Sequence, residues 1–101
     1  MPALYEYFGI LVYFYSNEHE PIHVHGKHAG RESRAEIIVR NGRVVGIEFG
    51  NVAGKRPLEG QKLKNFETLV KAKADEIVER WKNFFVHNVR SNLEIINRKI
   101  K

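Results

Sequence analysis

Residues 35–49, AEIIVRNGRVVGIEF, hold two apolar runs that are separated by the dipeptide Asn41-Gly42. Asn-Gly between two β-branched runs is the strongest short signal for a β-hairpin, because both central residues of a type I′ turn take positive φ. The stretch therefore predicts two antiparallel strands. The expected cross-strand pairs are Arg40 with Arg43, Val39 with Val44 and Ile38 with Val45.

This predicted hairpin has one apolar face and one mixed face, because side chains alternate across a strand. Ile37, Val39 and Val44 share a face with Ala35, and we expect this face to meet the core. The opposite face carries Ile38, Val45 and Ile47 together with Glu36, Arg40 and Arg43.

Two further strands are predicted upstream of the hairpin. Residues 10–15, ILVYFY, are apolar or aromatic on both faces, which is typical of a central strand. Residues 21–25, PIHVH, follow, with Pro21 at the start, where its missing N–H interrupts no ladder. The segment 26–32 is charged and begins with glycine, so it is predicted as a turn.

Helical spacing begins after the glycine-rich linker at residues 50–60. Asp75 is a natural N-cap, so the Ala-Asp-Glu stretch at 74–76 predicts a boundary between two helices. The apolar face of the first helix is Leu63, Phe66, Leu69 and Val70, and that of the second is Ile77, Val78, Trp81, Phe84 and Phe85.

These segments predict an α+β fold in one domain over residues 1–101. The strand-rich half, residues 1–50, is expected to form a small, mostly antiparallel sheet of about four strands. The helical half, residues 57–101, is expected to supply two to three C-terminal helices that pack on one face of that sheet.

The C-terminal tail carries an apolar seam. Its members repeat at intervals of three and four residues, as in a helical heptad. Ser91 and Glu94 have the spacing of a capping box, which predicts a helix start near Ser91. The seam could pack on the sheet, on a small partner protein or on a second copy in a homodimer. Its residues are Val89, Leu93, Ile96 and Ile100.

Composition narrows the classes of protein. The chain has no cysteine, which excludes a disulfide framework, a thiolate zinc site and a cysteine nucleophile, and suits a cytoplasmic location. The formal net charge is +5, but the lysines are spread around the predicted helices, so nucleic-acid binding is only weakly indicated. The N-terminal apolar run is too short to span a membrane, and no membrane partner is expected.

Four of the five histidines lie in residues 19–28, HEPIHVHGKH. In a strand, His23 and His25 point to the same face and are close enough to bind one metal ion. His19 and Glu18 are candidate further ligands. Such a set fits zinc, iron or manganese, although the favoured expectation is that no cofactor binds.

The same histidines can also act without a metal. Histidine gains and loses a proton near neutral pH, so His19, His23 and His25 could serve as acid and base on RNA. Arg34 or Lys27 could then stabilise the phosphorane charge. A purely structural polar face is the third interpretation, and the favoured one, because buried polar groups in most proteins are simply satisfied by hydrogen bonds.

A longer pattern runs from the aromatic end of the first predicted strand through the histidines to the tryptophan of the second predicted helix, and its residues are Phe14, Tyr15, Asn17, Glu18, His19, Pro21, His23, His25 and Trp81. This pattern resembles a small prokaryotic family, the domain of unknown function 4160. The similarity spans about residues 2–85 and departs from the family pattern at Ile22, where a second proline is usual, and at Pro57-Leu58, where the usual order is reversed. The resemblance implies an α+β domain and a loose association with toxin–antitoxin-like gene pairs, and it implies no catalytic activity.

Two functions follow as hypotheses. The leading one is a protein-binding component of a toxin–antitoxin-like two-protein module, with the tail and the strand edge beside Pro21 as contact surfaces. The alternative is a histidine-centred enzyme built on His19, His23 and His25. Such an enzyme would be either a metal-dependent hydrolase or oxygenase, or a metal-free ribonuclease.

Overall fold

The structure, a computed structural model, describes residues 2–14 and 22–100, and within these ranges the chain forms six strands and one helix. The elements are β1 (Ala3–Tyr7), β2 (Ile10–Tyr13), β3 (Ile22–His28), β4 (Arg31–Arg40), β5 (Arg43–Asn51), α1 (Gly60–Phe85) and β6 (Glu94–Ile96). The sheet order is β5-β4-β3-β2-β1-β6, and every neighbouring pair is antiparallel except β1 with β6. The α+β class is confirmed, whereas the expectation of about four strands and two to three helices is wrong.

The β4–β5 hairpin turns at Asn41-Gly42, with φ of 53° and 76°, as a type I′ turn requires. Arg40 pairs with Arg43 and Val39 with Val44, as predicted. A register shift between Ile38 and Val39 then pairs Ile38 with Gly46 instead of Val45. The shift places Ile47 opposite Ile37 and against the core, so the predicted position of Ile47 on the other face is wrong.

The neighbouring hairpins use the same two-residue turn. Ala29 and Gly30 have φ of 51° and 79°, so β3 runs to His28 and β4 begins at Arg31. The predicted long turn over residues 26–32 is therefore wrong. Phe8 and Gly9, with φ of 46° and 82°, join β1 to β2 in the same way. Strand β1 was not anticipated, because an aromatic residue is rare in the left-handed region.

Helix α1 is continuous from Gly60 to Phe85. Ala74 is buried and fills the gap between the two predicted apolar faces, while Asp75 and Glu76 are exposed and interrupt nothing. The predicted boundary at 74–76 is therefore wrong. In the part of the chain that the structure describes, no helix is long and apolar enough to cross a membrane. The buried helix residues are Phe66, Leu69, Val70, Ala74, Ile77, Val78 and Trp81.

After α1 the chain returns to the sheet instead of forming the predicted third helix. Strand β6 pairs with β1 in parallel, with Ile95 opposite Glu6. The apolar seam is divided as a result, because Ile96 and Ile100 pack against the core while Val89 and Leu93 are exposed.

Arg80 holds this returning segment in place. Its guanidinium donates to the Leu4 carbonyl at 3.0 Å, to Ser91 Oγ at 3.1 Å and to the Asn92 carbonyl. Ser91 Oγ donates in turn to the Ala3 carbonyl at 2.9 Å, so Ser91 links β1 to the tail and caps no helix.

Tyr5 links the sheet to α1, and this contact predicts a pH dependence. Its hydroxyl donates to Glu76 Oε1 at 2.6 Å; burial and then this hydrogen bond raise the pKa of Tyr5 above its ordinary value. The folded state favours neutral tyrosine. The resulting stability should therefore be fully present below about pH 10 and be lost as the pH rises further. Urea unfolding from pH 8 to 11 should show a steeper decline for wild type than for Tyr5→Phe, and parallel declines would contradict this assignment.

Candidate functional site

Strand β3 divides its side chains between two surfaces. Ile22, Val24 and Gly26 face α1, and the ring of Phe66 lies so close to Gly26 that a Cβ there would be 2.5 Å from its Cδ1. His23, His25 and Lys27 consequently point to the other side of the sheet. We call this side, turned away from α1, the distal face. With their cross-strand neighbours, its members around β3 are Leu11, Tyr13, His23, His25, Lys27, Glu32, Arg34 and Glu36.

A buried histidine–carboxylate pair lies at the centre of the distal face. His25 Nδ1 is 2.9 Å from Glu32 Oε2, and the two residues are only 3% and 5% exposed. An ionised carboxylate only accepts hydrogen bonds, so we assign the proton of this contact to Nδ1. The pairing fixes the orientation of the imidazole and makes Nε2 its basic nitrogen. The same relation between a carboxylate and an imidazole orients histidine in hydrolase active sites.

Three further side chains surround this pair. Tyr13 is directly across from His25 in the sheet and stacks on it, with 5.7 Å between ring centroids and 29° between ring planes. The ring of the half-buried His23 packs against the His25 ring as well, at 5.5 Å between centroids. Lys27 places its Nζ over the Tyr13 ring, 5.2 Å from the centroid. A cation, an accessible imidazole and a carboxylate-bound imidazole therefore share one surface.

The structure tests part of the predicted histidine cluster. It brings His23 and His25 together, whereas His19 and Glu18 lie outside the described residues. His28 is apart from the pair, because its Nδ1 donates to the Gly9 carbonyl at 2.9 Å. Among residues 2–14 and 22–100, no group of three or more His, Cys, Asp or Glu side chains could hold a metal ion. A zinc, iron or manganese site that includes His19 or Glu18 stays a prediction.

Arg34 lies opposite His25 in the register between β3 and β4, but its guanidinium does not turn toward the histidine. Its Nε donates to the Asn51 carbonyl at 3.3 Å, so the side chain extends toward β5. Lys27, which was the other candidate cation, is the one that the fold places beside the aromatic and histidine rings.

The sequence does not single out Glu32, because a turn predicted over residues 26–32 gives this residue no place in a strand. A two-residue hairpin at Ala29-Gly30 pairs Lys27 with Glu32, and this register places Glu32 diagonally next to His25. The sequence signal for this pairing is the Ala-Gly dipeptide between two segments whose side chains can alternate between the faces of a sheet. A tight turn at this dipeptide determines every cross-strand pair of the hairpin.

The chain matches the sequence model of a family described as Domain of unknown function (DUF4160), over residues 9–82. The match covers most of the chain. The chain belongs to this family. The family region runs from the β1–β2 turn into the last turns of α1 and contains His23, His25, Lys27 and Glu32, so the whole cluster on the distal face is part of it. No curated protein and no solved structure matches the chain.

Proposed function

We propose that this domain cleaves RNA by acid–base catalysis on the distal face, with His23 as the residue that transfers the proton. The observation that carries the proposal is the buried His25–Glu32 pair directly beside the half-buried His23. A histidine with a purely structural role needs a hydrogen-bond partner. It does not need a second imidazole beside it at a position that a substrate can reach. This arrangement offers one group to accept a proton and a negative charge behind it.

The reaction that this set can perform is transesterification at a ribose. His23 takes the proton of the 2′-hydroxyl, and the bond from O2′ to phosphorus forms as the bond from phosphorus to O5′ breaks. The imidazolium then returns its proton to the departing O5′, so the products are a 2′,3′-cyclic phosphate and a 5′-hydroxyl. His25 and Glu32 position His23, and the Glu32 carboxylate stabilises the positive charge that His23 carries between the two transfers.

RNA is favoured as the substrate because its 2′-hydroxyl supplies the nucleophile. Within the described residues, the cluster contains no serine that could attack phosphorus or a carbonyl carbon, and the chain has no cysteine. A nucleophile within the substrate itself supplies this group. The Lys27 ammonium and the net charge of +5 attract a polyanion. Tyr13 is only 2% exposed, so we assign it to holding His25 and not to stacking on a base.

His23→Ala should lower the rate of single-stranded RNA cleavage by roughly 100-fold or more, because it removes the group that moves the proton. His87 is the matched control, since it is exposed in the segment just after α1, far along the chain from the cluster. His87→Ala should cleave at the wild-type rate. Equal rates for His23→Ala and His87→Ala would contradict the proposed role of His23.

A separate observation favours a second function, namely binding of a partner protein in a toxin–antitoxin-like pair. Exposed apolar side chains concentrate in the segment that follows α1, where Leu93 is 47% and Ile95 62% exposed. They lie on and beside β6, which is a short edge strand, and such edges are surfaces to which a further strand can be added. Val86 and Val89, in the same segment, are exposed as well.

Ile95→Asp should therefore weaken association with the product of the neighbouring gene when the two proteins are co-expressed and purified. Val45→Asp is the matched control, because Val45 is 58% exposed on β5, at the opposite edge of the sheet. Removing a central apolar contact typically costs about 2 kcal/mol, or about thirtyfold in affinity. Equal loss in the two variants, or no loss in Ile95→Asp, would count against the β6 surface. Light scattering on the isolated protein would show whether the same surface forms a homodimer.

A further inference from the structure

A basic cavity adjoins the histidine cluster at the end of β3. It has a volume of about 470 Å³ and lies between the β1–β2 turn and the β3–β4 turn. Four of its lining residues are basic or can become so, namely Lys27, His28, Arg31 and Lys55. Its acidic lining residue is Glu32, whose carboxylate is the partner of His25.

The loop before α1 brings Lys55 to this cavity. Two hydrogen bonds fasten the loop to the start of β4. Glu32 donates its N–H to the Arg56 carbonyl at 2.8 Å, and Leu58 donates its N–H to the hydroxyl oxygen of Ser33 at 3.0 Å. The position of Lys55 on the cavity wall is thus set by the fold and not by a loose surface loop.

The positively charged side chains that line the cavity differ in how far their charge is compensated by ion pairs. Arg31 donates to the Pro57 carbonyl at 3.2 Å and forms an ion pair with Glu59 at 3.2 Å, so its charge is partly compensated. Lys27 and Lys55 form no ion pair with any residue in the ranges 2–14 and 22–100. Two lysines therefore face one cavity with little opposing charge.

The charge of the distal face differs between its two histidines. Level with His23, the neighbouring strands carry Glu36 on β4 and Glu48 on β5, both acidic. Past His25 along β3 come Lys27 and the cavity, where the carboxylate opposite Lys27, Glu32, is already paired with His25. A polyanion on this face is therefore repelled beside His23 and attracted beside Lys27.

We infer that the cavity binds a backbone phosphate of the RNA strand, next to the phosphate that is cleaved at His23, and that Lys55 is a principal contact. This inference rests on the proposed ribonuclease function for the identity of the strand. The binding itself needs no catalysis, so it can be measured separately. Lys55 thereby determines how the strand is placed and in which direction it leaves the histidine pair.

The test uses the full chain and a fluorescein-labelled single-stranded RNA of twelve nucleotides in which every 2′-hydroxyl is methylated, so that it cannot be cleaved. Anisotropy titrations between 50 and 300 mM KCl give the affinity and its salt dependence. Lys55→Gln should bind about threefold more weakly, Lys55→Glu more weakly still, and the slope of log affinity against log salt should fall by about 0.7 for the one lost phosphate contact. Lys64→Gln and Lys64→Glu, on the exposed side of α1, are the matched controls.

Equal losses at positions 55 and 64 would overturn the inference, because they would report only a general attraction between charges. Displacement of the RNA by low millimolar inorganic phosphate, with no difference between wild type and Lys55→Gln, would overturn it as well. A loss specific to Lys55 supports the subsite. If unmodified RNA is bound in this way and yet stays intact, the subsite stands and the proposed catalytic function fails.

Discussion

Gly26→Ala is expected to destabilise the fold by about 3 kcal/mol, because the added methyl group has no room between β3 and α1. Its Cβ would lie 2.5 Å from Cδ1 and 2.6 Å from Cε1 of Phe66, well inside the contact distance of two carbon atoms. The Phe66 ring is fully buried and packs edge-on against Phe49, with 6.1 Å between centroids, so it cannot move aside without opening the core.

Gly46→Ala is the matched control, since Gly46 also lies in a strand and, among the described residues, its added methyl group would meet Ile38 Cδ1 at an ordinary 3.8 Å. Urea unfolding should place this variant within about 0.5 kcal/mol of wild type. The double variant Gly26→Ala, Phe66→Leu replaces the ring with a smaller side chain. It should recover part of the lost stability, since the two changes act on one contact. Similar stabilities for Gly26→Ala and Gly46→Ala would show that the close approach of β3 and α1 is absent.

Glu32→Gln is expected to lower the rate of RNA cleavage by roughly 100-fold while leaving the stability of the fold unchanged. Glu32→Ala is expected to lower both the cleavage rate and the stability. The amide oxygen of glutamine can still accept the hydrogen bond from His25 Nδ1, so the imidazole stays in place. The negative charge behind the two imidazoles is lost. Alanine also removes the oxygen that accepts the hydrogen bond from His25 Nδ1. The loss of this acceptor for a buried N–H costs about 2 kcal/mol of stability.

Cleavage rates measured beside the free energies of unfolding separate these two roles. Glu79→Gln serves as the control, because Glu79 is exposed on α1, on the side of the sheet away from the distal face. It should retain both wild-type stability and wild-type activity. A Glu32→Gln protein that cleaves RNA as fast as Glu79→Gln would make the pair a structural contact alone.

Local signals in the sequence were sufficient for the centre of the sheet. Asn41-Gly42 defined a turn type, the turn type defined the first cross-strand pairs, and alternation placed Ile37 and Val39 toward the core. The failures share a physical cause, which is that tertiary contacts override local preference. Asp75 can begin a helix, but on the exposed side of a longer helix it also fits without strain.

The tail shows the same limit more clearly. A repeat of three and four residues indicates a helix only when no other partner is offered to the backbone. Here β1 offers an unpaired edge, and Arg80 binds the carbonyl of Asn92 and the hydroxyl of Ser91, so residues 94–96 pair as a strand. None of these contacts is local in the sequence.

For the site, the sequence supplied the residue types but not their partners. His23 and His25 share one face because alternation in a strand requires it. Which charged groups reach the histidines depends on the register of β3 with β4 and on the direction in which Arg34 extends. These two features pair Glu32 with His25 and leave Lys27, of the two candidate cations, beside the rings. Register follows from the tight turn at Ala29-Gly30, and a single residue more in that turn would have separated the pair.

The most direct test of the proposed chemistry is the mass of the ends produced from unmodified single-stranded RNA by the wild-type protein in the presence of EDTA. His23→Ala protein, purified in parallel, controls for contaminating nucleases. Acid–base transesterification by His23 should give fragments that end in a 2′,3′-cyclic phosphate and begin with a 5′-hydroxyl, and the His23→Ala sample should leave the RNA intact. Intact RNA with wild type, or fragments that begin with a 5′-phosphate, would contradict it.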